Sequence, residues 1–277
     1  MPLVVDRLGS GDLEAALRLS TQAGWNQNPV DWQRLLDLCP EGCLAGRLDG
    51  ALVATATVAS FGVAARWVGM VLVDEAMRGR GIGSTMLSRV IEAARSSGGG
   101  AVGLDATDLG RPVYLKLGFV DVAPIDRWSG ILRPTGAAPG VELIDRSHFD
   151  DVAALDAAAC GADRSPLLLH LMHEPGVFGV VEPGAGFGFL RPGRSRLHVG
   201  PLVAAEESVC SRLLNRLASL SESATVLLDA LRSPSSDALL QAHGLTVARR
   251  LTRMTLGAPQ RVLMGDAVRA AVSFEWG

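Results

Sequence analysis

The sequence predicts an α+β fold, helices packed on an α/β mixed sheet, occurring twice in tandem. Three observations lead there. The apolar run Val68 to Val73 passes through the glycine-rich stretch Arg78-Gly79-Arg80-Gly81-Ile82-Gly83-Ser84 into a helical segment, Thr85 to Arg95, so strand, bend and helix follow one another. The tripeptide Leu104-Asp105-Ala106 returns as Leu228-Asp229-Ala230 within a repeated order of elements. The 277 residues exceed one ordinary domain and suffice for two cores.

Taken in order, Leu3 to Arg7 reads as a first strand, and Asp12 caps a helix from Leu13 to about Thr21. Pro29, suited to a first helical turn, starts a second helix that carries Trp32, Leu35, Leu36 and Leu38 before Pro40. Cys43 to Leu48, the turn Asp49-Gly50 and Leu52 to Val58 form a hairpin. Arg66 to Val73 is the next strand. After the glycine loop come a long helix to about Ser97, a strand from Val102 to Asp105, a short helix around Tyr114, and strands near Val120 to Trp128 and at Ile131-Leu132. This accounts for a first domain, 1–133.

Residues 134–140, Pro-Thr-Gly-Ala-Ala-Pro-Gly, are a linker by composition. The same order then restarts in 141–277: strand Val141 to Ile144, helices Asp150 to Ala159 and Pro166 to Met172, a hairpin around Pro183-Gly184, strand His198 to Val203 and helix Leu213 to Leu220. His243-Gly244-Leu245 stands where Leu117-Gly118-Phe119 stood, which puts Leu240 in the place of Tyr114. The glycine loop is replaced by Ala204-Ala205-Glu206-Glu207-Ser208, whose two carboxylates would repel a pyrophosphate. One anion site per chain is expected, in the first half.

The chemistry of that loop follows from its residues. Glycines let backbone N–H groups turn inward, a helix start adds orphan donors and the positive end of a dipole, and Arg78 and Arg80 add charge. A nucleotide P-loop would need a lysine, which the segment lacks, and the dinucleotide fingerprint fails because its third glycine would fall on Ser84. R-x-x-G-x-G remains, followed some thirty residues on by Tyr114-Leu115-Lys116-Leu117-Gly118-Phe119, with Tyr114 the sole tyrosine of the chain. Loop and Y-x-K-x-G-F together resemble the GNAT superfamily of N-acetyltransferases. The whole chain resembles the tandem GNAT proteins of bacteria, in which one domain works and the other is degenerate.

The resemblance implies acetyl-CoA as co-substrate, with its pyrophosphate on Arg78, Gly79, Arg80, Gly81, Ile82, Gly83 and Ser84. It implies pantetheine paired with backbone of the strand Val71, Leu72, Val73, which splays from Val102 to Asp105. Thr107 stands where many relatives carry Asn. Tyr114 would protonate the leaving thiolate, which is why acid catalysis is expected of it. Relatives that use a glutamate on the middle strand would have it near Trp67, and none is there; Asp105, water or no dedicated base are the alternatives. The stretch Trp25 to Trp32 falls in the loop that covers the acceptor pocket in the family, making Trp25, Asn28 and Trp32 acceptor candidates against the plainer reading of Trp32 as helix core.

Composition narrows the partners. The net charge of −3 offers no reason to invoke nucleic acid or an anionic membrane, and no apolar run reaches the length of a membrane span. The N-terminus does not read as a signal peptide, so a cytoplasmic enzyme is expected, monomer or homodimer. Cys39, Cys43, Cys160 and Cys210 form no C-x-x-C pair, and His170 and His173, at i and i+3 on a helix that could face the acceptor cleft, have only Glu174 as a carboxylate at helical spacing, so no metal is expected. Three functions compete: acetylation of a small-molecule amine, acetylation of a protein or peptide with the second domain as docking surface, and non-catalytic acyl-CoA sensing.

Overall fold

The computed structural model describes residues 2–96 and 98–277; the helix end expected at Ser97 lies outside them. The first half runs β1 (Val4–Arg7), α1 (Leu13–Gln22), α2 (Pro29–Leu38), β2 (Cys43–Leu48), β3 (Ala51–Phe61), β4 (Ala65–Val73), α3 (Ile82–Ser96), β5 (Ala101–Ala106), α4 (Arg111–Lys116) and β6 (Phe119–Ile131). The second runs β7 (Glu142–Leu143), α5 (Phe149–Cys160), α6 (Ser165–His173), β8 (Phe178–Glu182), β9 (Gly186–Arg191), β10 (Leu197–Ala204), α7 (Glu207–Leu220), β11 (Thr225–Leu231), α8 (Pro234–Ala242), β12 (Thr246–Leu256) and β13 (Val268–Ala270).

Local chemistry accounts for the boundaries. Asn28 caps α2 by accepting from the Asp31 N–H while the Asp31 carboxylate accepts from the Asn28 N–H, with Pro29 at the first turn. Asp49 and Gly50 both take positive φ, 52° and 80°, as a two-residue hairpin turn requires. Met86, Leu87, Val90, Ile91 and Ala94 form the buried stripe of α3. Asp12 departs from expectation: at the start of α1 its side chain makes no cap bond to the helix, because both oxygens hold the Arg47 guanidinium.

Among the described residues a single sheet runs β1-β2-β3-β4-β5-β12-β6-β11-β10-β9-β8-β7, with β13 off the path against β10. The halves have exchanged their last strands. β12, from the second half, sits between β5 and β6 of the first; β6 pairs antiparallel with β11 from Ile125 to Ile131. Residues 119–131 are therefore one strand where two were expected, since the hairpin partner that β6 would need is supplied by β12. The linker divides the halves in sequence, while the sheet runs through both.

Two cores lie on one side of this sheet, α3 over the first half and α7 over the second. A third joins the halves: Leu19, Trp32 and Trp67 pack with Leu168, Phe187 and Trp276. Charge crosses the same junction. Arg34 of α2 pairs with Glu174 at 2.6 Å and with Asp31, and Asp31 receives Arg191 of β9 at 2.8 Å, all four buried.

Candidate active site

The site begins where two strands part. β4 and β5 pair in parallel only from Ala65–Ala101 to Trp67–Gly103, although β4 continues to Val73 and β5 to Ala106. On its other side β4 bulges: Gly69 faces Thr57 and Leu72 faces Thr55, so Met70 and Val71 oppose the single residue Ala56. Met70 sits at φ 48°, a strained conformation for a non-glycine residue, and its carbonyl accepts from the Thr55 hydroxyl at 2.8 Å. The wedge opens into a cleft of about 910 Å³ lined by Val71, Leu72, Val73, Asp105, Thr107 and Tyr114 among others.

The glycine loop closes one end. Gly79 and Gly81 both stand at φ 78°, so each needs glycine for its backbone, with open space where a Cβ would point. Backbone hydrogen bonding resumes at Thr85, whose N–H reaches the Gly81 carbonyl at 3.1 Å. Among the described residues no acceptor takes the N–H groups of Gly81, Ile82, Gly83 and Ser84 at the start of α3. These donors and the dipole suit an anion. Arg78, Gly79, Gly81, Ile82, Gly83 and Ser84 line the cleft; Arg80 is exposed and does not. Arg78 is half-exposed, held by the Val73 carbonyl and Glu75.

At the other wall the Thr107 hydroxyl accepts from the Gly110 N–H and opens α4, which carries Tyr114 over the cleft. The ring packs edge-on against Phe119 with centroids 5.9 Å apart. Burial pushes its phenol up to about 12, so the proton is held throughout the neutral range.

The structure corrects three expectations. Asp105 is not a free base: both oxygens are held by Arg253 of β12, at 2.9 and 2.8 Å, and that guanidinium stacks on Trp67 at 4.5 Å. Burial pushes the Asp105 carboxyl up while Arg253 pulls it down. Trp32 is wholly buried, its indole N–H on the Ser20 hydroxyl, and Asn28 is spent on the α2 cap and the Pro192 carbonyl; neither lines the cleft. Trp25 does line it. His170 and His173 lie outside the cleft, beside Glu174 and the Leu169 carbonyl.

The second half has the same wedge, closed. β10 and β11 pair in parallel only from Leu197–Val226 to Val199–Leu228 and then part. β13 fills the gap, pairing with β10, and the Ala271 N–H donates to the Asp229 carbonyl of β11. Arg269 caps the loop by donating to the Ala204 and Ala205 carbonyls. A pocket of about 10 Å³ lies beside Leu240 and Arg269. The chain then crosses to the open wedge, where Trp67 donates to the Phe274 carbonyl at 2.9 Å and Phe274 and Glu275 line the cleft. Sequence reasoning did not single out Glu275, which directly follows the apolar stretch Ala270 to Phe274. Gln27, inside the stretch already singled out, also lines the cleft and donates to Glu275 at 2.9 Å. Arg127, Arg249 and Arg250 complete the wall from β6 and β12.

A splayed parallel pair, a glycine loop with unspent donors at its end and a half-buried tyrosine over the gap define an acyltransferase of the acyl-CoA-dependent kind. Residues 13–119 match the acetyltransferase (GNAT) family and residues 152–265 an acetyltransferase (GNAT) domain. The chain is 28% identical over 221 residues to the uncharacterized N-acetyltransferase YitH of Bacillus subtilis, covering 76% of this chain and 77% of that one. It is 29% identical over 212 residues to the holothin acyltransferase of a Pseudoalteromonas species, covering 74% and 71%. A solved acetyltransferase-fold structure from Pyrococcus horikoshii superposes with a TM-score of 0.87 over 99% of this chain and 96% of that one, at 22% identity. The chain belongs to the GNAT acetyltransferases and carries two GNAT domains in tandem. Members of this family use acyl-CoA.

Proposed function

We propose that the chain transfers the acetyl group of acetyl-CoA to a primary amine of a small molecule by direct attack, using the first-half wedge alone. The observation that carries this is the pairing of an open wedge, loop donors at one end and Tyr114 over the gap, with a second wedge filled by the chain itself. The pyrophosphate would lie on the N–H groups from Gly79 to Ser84, and pantetheine along Val71 to Val73. An N–H at the β4 bulge near Val71 would stabilise the charge that develops on the thioester oxygen. Tyr114 would give its proton to the departing sulfur; the burial that raises the phenol acts also on a thiolate leaving into the same cleft.

The acceptor would enter beside Trp25, Gln27, Phe274 and Glu275. These come from two distant parts of the chain and line that end of the cleft, with Glu275 as its carboxylate, which supports a small amine as acceptor. The decisive experiment is titration calorimetry with acetyl-CoA, followed by thiol release with a panel of amines and peptides. One site per chain and turnover on free amines are expected. Two equal sites, or turnover on peptides only, would overturn the reading.

A further inference from the structure

We propose that the Glu275 carboxylate is the general base that takes a proton from the acceptor ammonium, and that Gln27 is the residue that positions it. The inference rests on the acetyl transfer proposed above. Glu275 reaches the cleft because the tail, having filled the second wedge, lies along β4. A Cβ on Gly69 would come within 2.8 Å of the Glu275 Cα, and Trp67 holds the preceding carbonyl. Glu275 thus docks where β4 and β5 have just ceased to pair, at the apex of the wedge and next to the bulge at Met70 and Val71. That is where the acyl end of a pantetheine arm anchored at the glycine loop would arrive.

The surroundings suit proton uptake. Gln27 Nε2 donates to Glu275 Oε2 at 2.9 Å, which leaves Oε1 outside that contact; the Gln27 Oε1 is itself buried without a partner. Burial, then the charge of Asp31, pushes the carboxyl up, and Arg191, the Ser273 hydroxyl and the Glu275 backbone N–H oppose them without cancelling the rise. Arg127 of β6 also faces it, but is bound in two places to Asp229, while Asp31 is shared by Arg34 and Arg191. Glu275 therefore has no bidentate arginine of its own among the described residues, unlike Asp105, Asp156 and Asp229. A carboxylate held above its usual range at neutral pH accepts a proton more readily than a solvent-exposed one.

In the step, an ammonium N–H proton passes to Glu275 and the freed lone pair forms the N–C bond to the thioester carbonyl. The C–S bond breaks and sulfur takes the Tyr114 proton. The amide nitrogen sheds its surplus proton, and Glu275 and Tyr114 return to their resting states by exchange with solvent in the cleft. The balance is one thioester and one ammonium to one amide, one thiol and one proton.

The test uses the full chain, with acetyl-CoA and the probe amines 2-phenylethylamine and n-butylamine. Glu275→Gln keeps the shape and the bond to Gln27 but cannot take a proton. It should bind acetyl-CoA as the parent does and lose roughly 10²-fold in kcat/KM for the amine near pH 7, the loss shrinking as rising pH delivers neutral amine. Glu275→Asp should fall between the two. Carbon-13 NMR of labelled glutamate carboxyls, with Glu275 identified by its disappearance in Glu275→Gln, should show it titrating above the ordinary value of about 4.3. Unchanged turnover and pH profile in Glu275→Gln would overturn the proposal, as would titration at or below the ordinary value. If the parent acetylates neither probe while binding acetyl-CoA, the acceptor reading fails, and the titration still decides the base.

Discussion

Replacing Arg253 with methionine should unfold this protein far more easily at alkaline than at acid pH. Arg253 is 1% exposed and holds Asp105, whose side chain is fully buried, through two hydrogen bonds; it also donates to the Leu263 carbonyl at 3.1 Å and stacks on Trp67. Removing one partner of a buried pair costs about 3–5 kcal/mol because the other charge is left uncompensated. The lost stacking on Trp67 and the bond to Leu263 add about 1–2 kcal/mol. The total, about 4–7 kcal/mol, is a large share of the 5–15 kcal/mol that a folded domain has. The sign with pH follows from Asp105. Burial already raises its carboxyl, and without Arg253 nothing among its neighbours pulls so strongly the other way. A carboxyl raised in the native state favours folding at pH below its unfolded value and costs stability as pH rises through its native value, by up to about 1.4 kcal/mol per pH unit. Urea unfolding followed by tryptophan fluorescence at pH 5.5 and 8 should show a larger loss at pH 8. The pair Asp105→Asn with Arg253→Met should be less damaged than Arg253→Met alone. A loss below about 1 kcal/mol, or one independent of pH, would refute the reasoning and reopen Asp105 as a free base.

Three further outcomes are expected. Gly81→Asp should abolish acetyl-CoA binding in calorimetry, because a side chain at φ 78° is strained and its charge would stand among the loop donors; unchanged affinity would remove the loop from the site. Tyr114→Phe should leave acetyl-CoA affinity intact and lower turnover roughly 10²-fold, with no alkaline limb between pH 6 and 9 in the parent because the phenol titrates at about 12. A chain ending at Gly136, inside the linker that the sequence marks between the two domains, should be unfolded or aggregated by circular dichroism and size-exclusion chromatography. It lacks β12, which has four register partners on β5 and ten on β6, and β11 on the other side of β6, and so leaves β6 without either neighbour and β5 with an open edge.

What could be read from the sequence was whatever local chemistry dictates. Glycines at 79 and 81 are demanded by their own φ angles, the Asp49-Gly50 turn by its strands, and the α2 start by Asn28, Pro29 and Asp31, so all were visible within a few residues. Tyr114 was visible through its loop and its rarity. The strand exchange was not, because the alternation of a strand is the same whether its partner belongs to its own half or the other. Asp105 looked free for the same reason: Arg253 lies 148 positions away. Asn28 and Trp32 were in the right stretch but pointed elsewhere, Asn28 to backbone and Trp32 to the core, while Trp25 and Gln27 between the same helices face the cleft.

The second half lost its loop yet could not be discarded, and two glycines show why. A Cβ on Gly200 in β10 would come within 2.1 Å of the Ala271 carbonyl oxygen, and one on Gly69 in β4 within 2.8 Å of the Glu275 Cα. Each glycine lies on the strand bordering a wedge, and each is pressed by the same short tail. Sealing the second wedge is therefore also what aims the tail at the first. Any change that loosened the tail from β10, such as a side chain at position 200, would reach the open cleft through Phe274 and Glu275 without touching the glycine loop. Damage to the closed half should accordingly appear in acceptor turnover before it appears in acetyl-CoA binding.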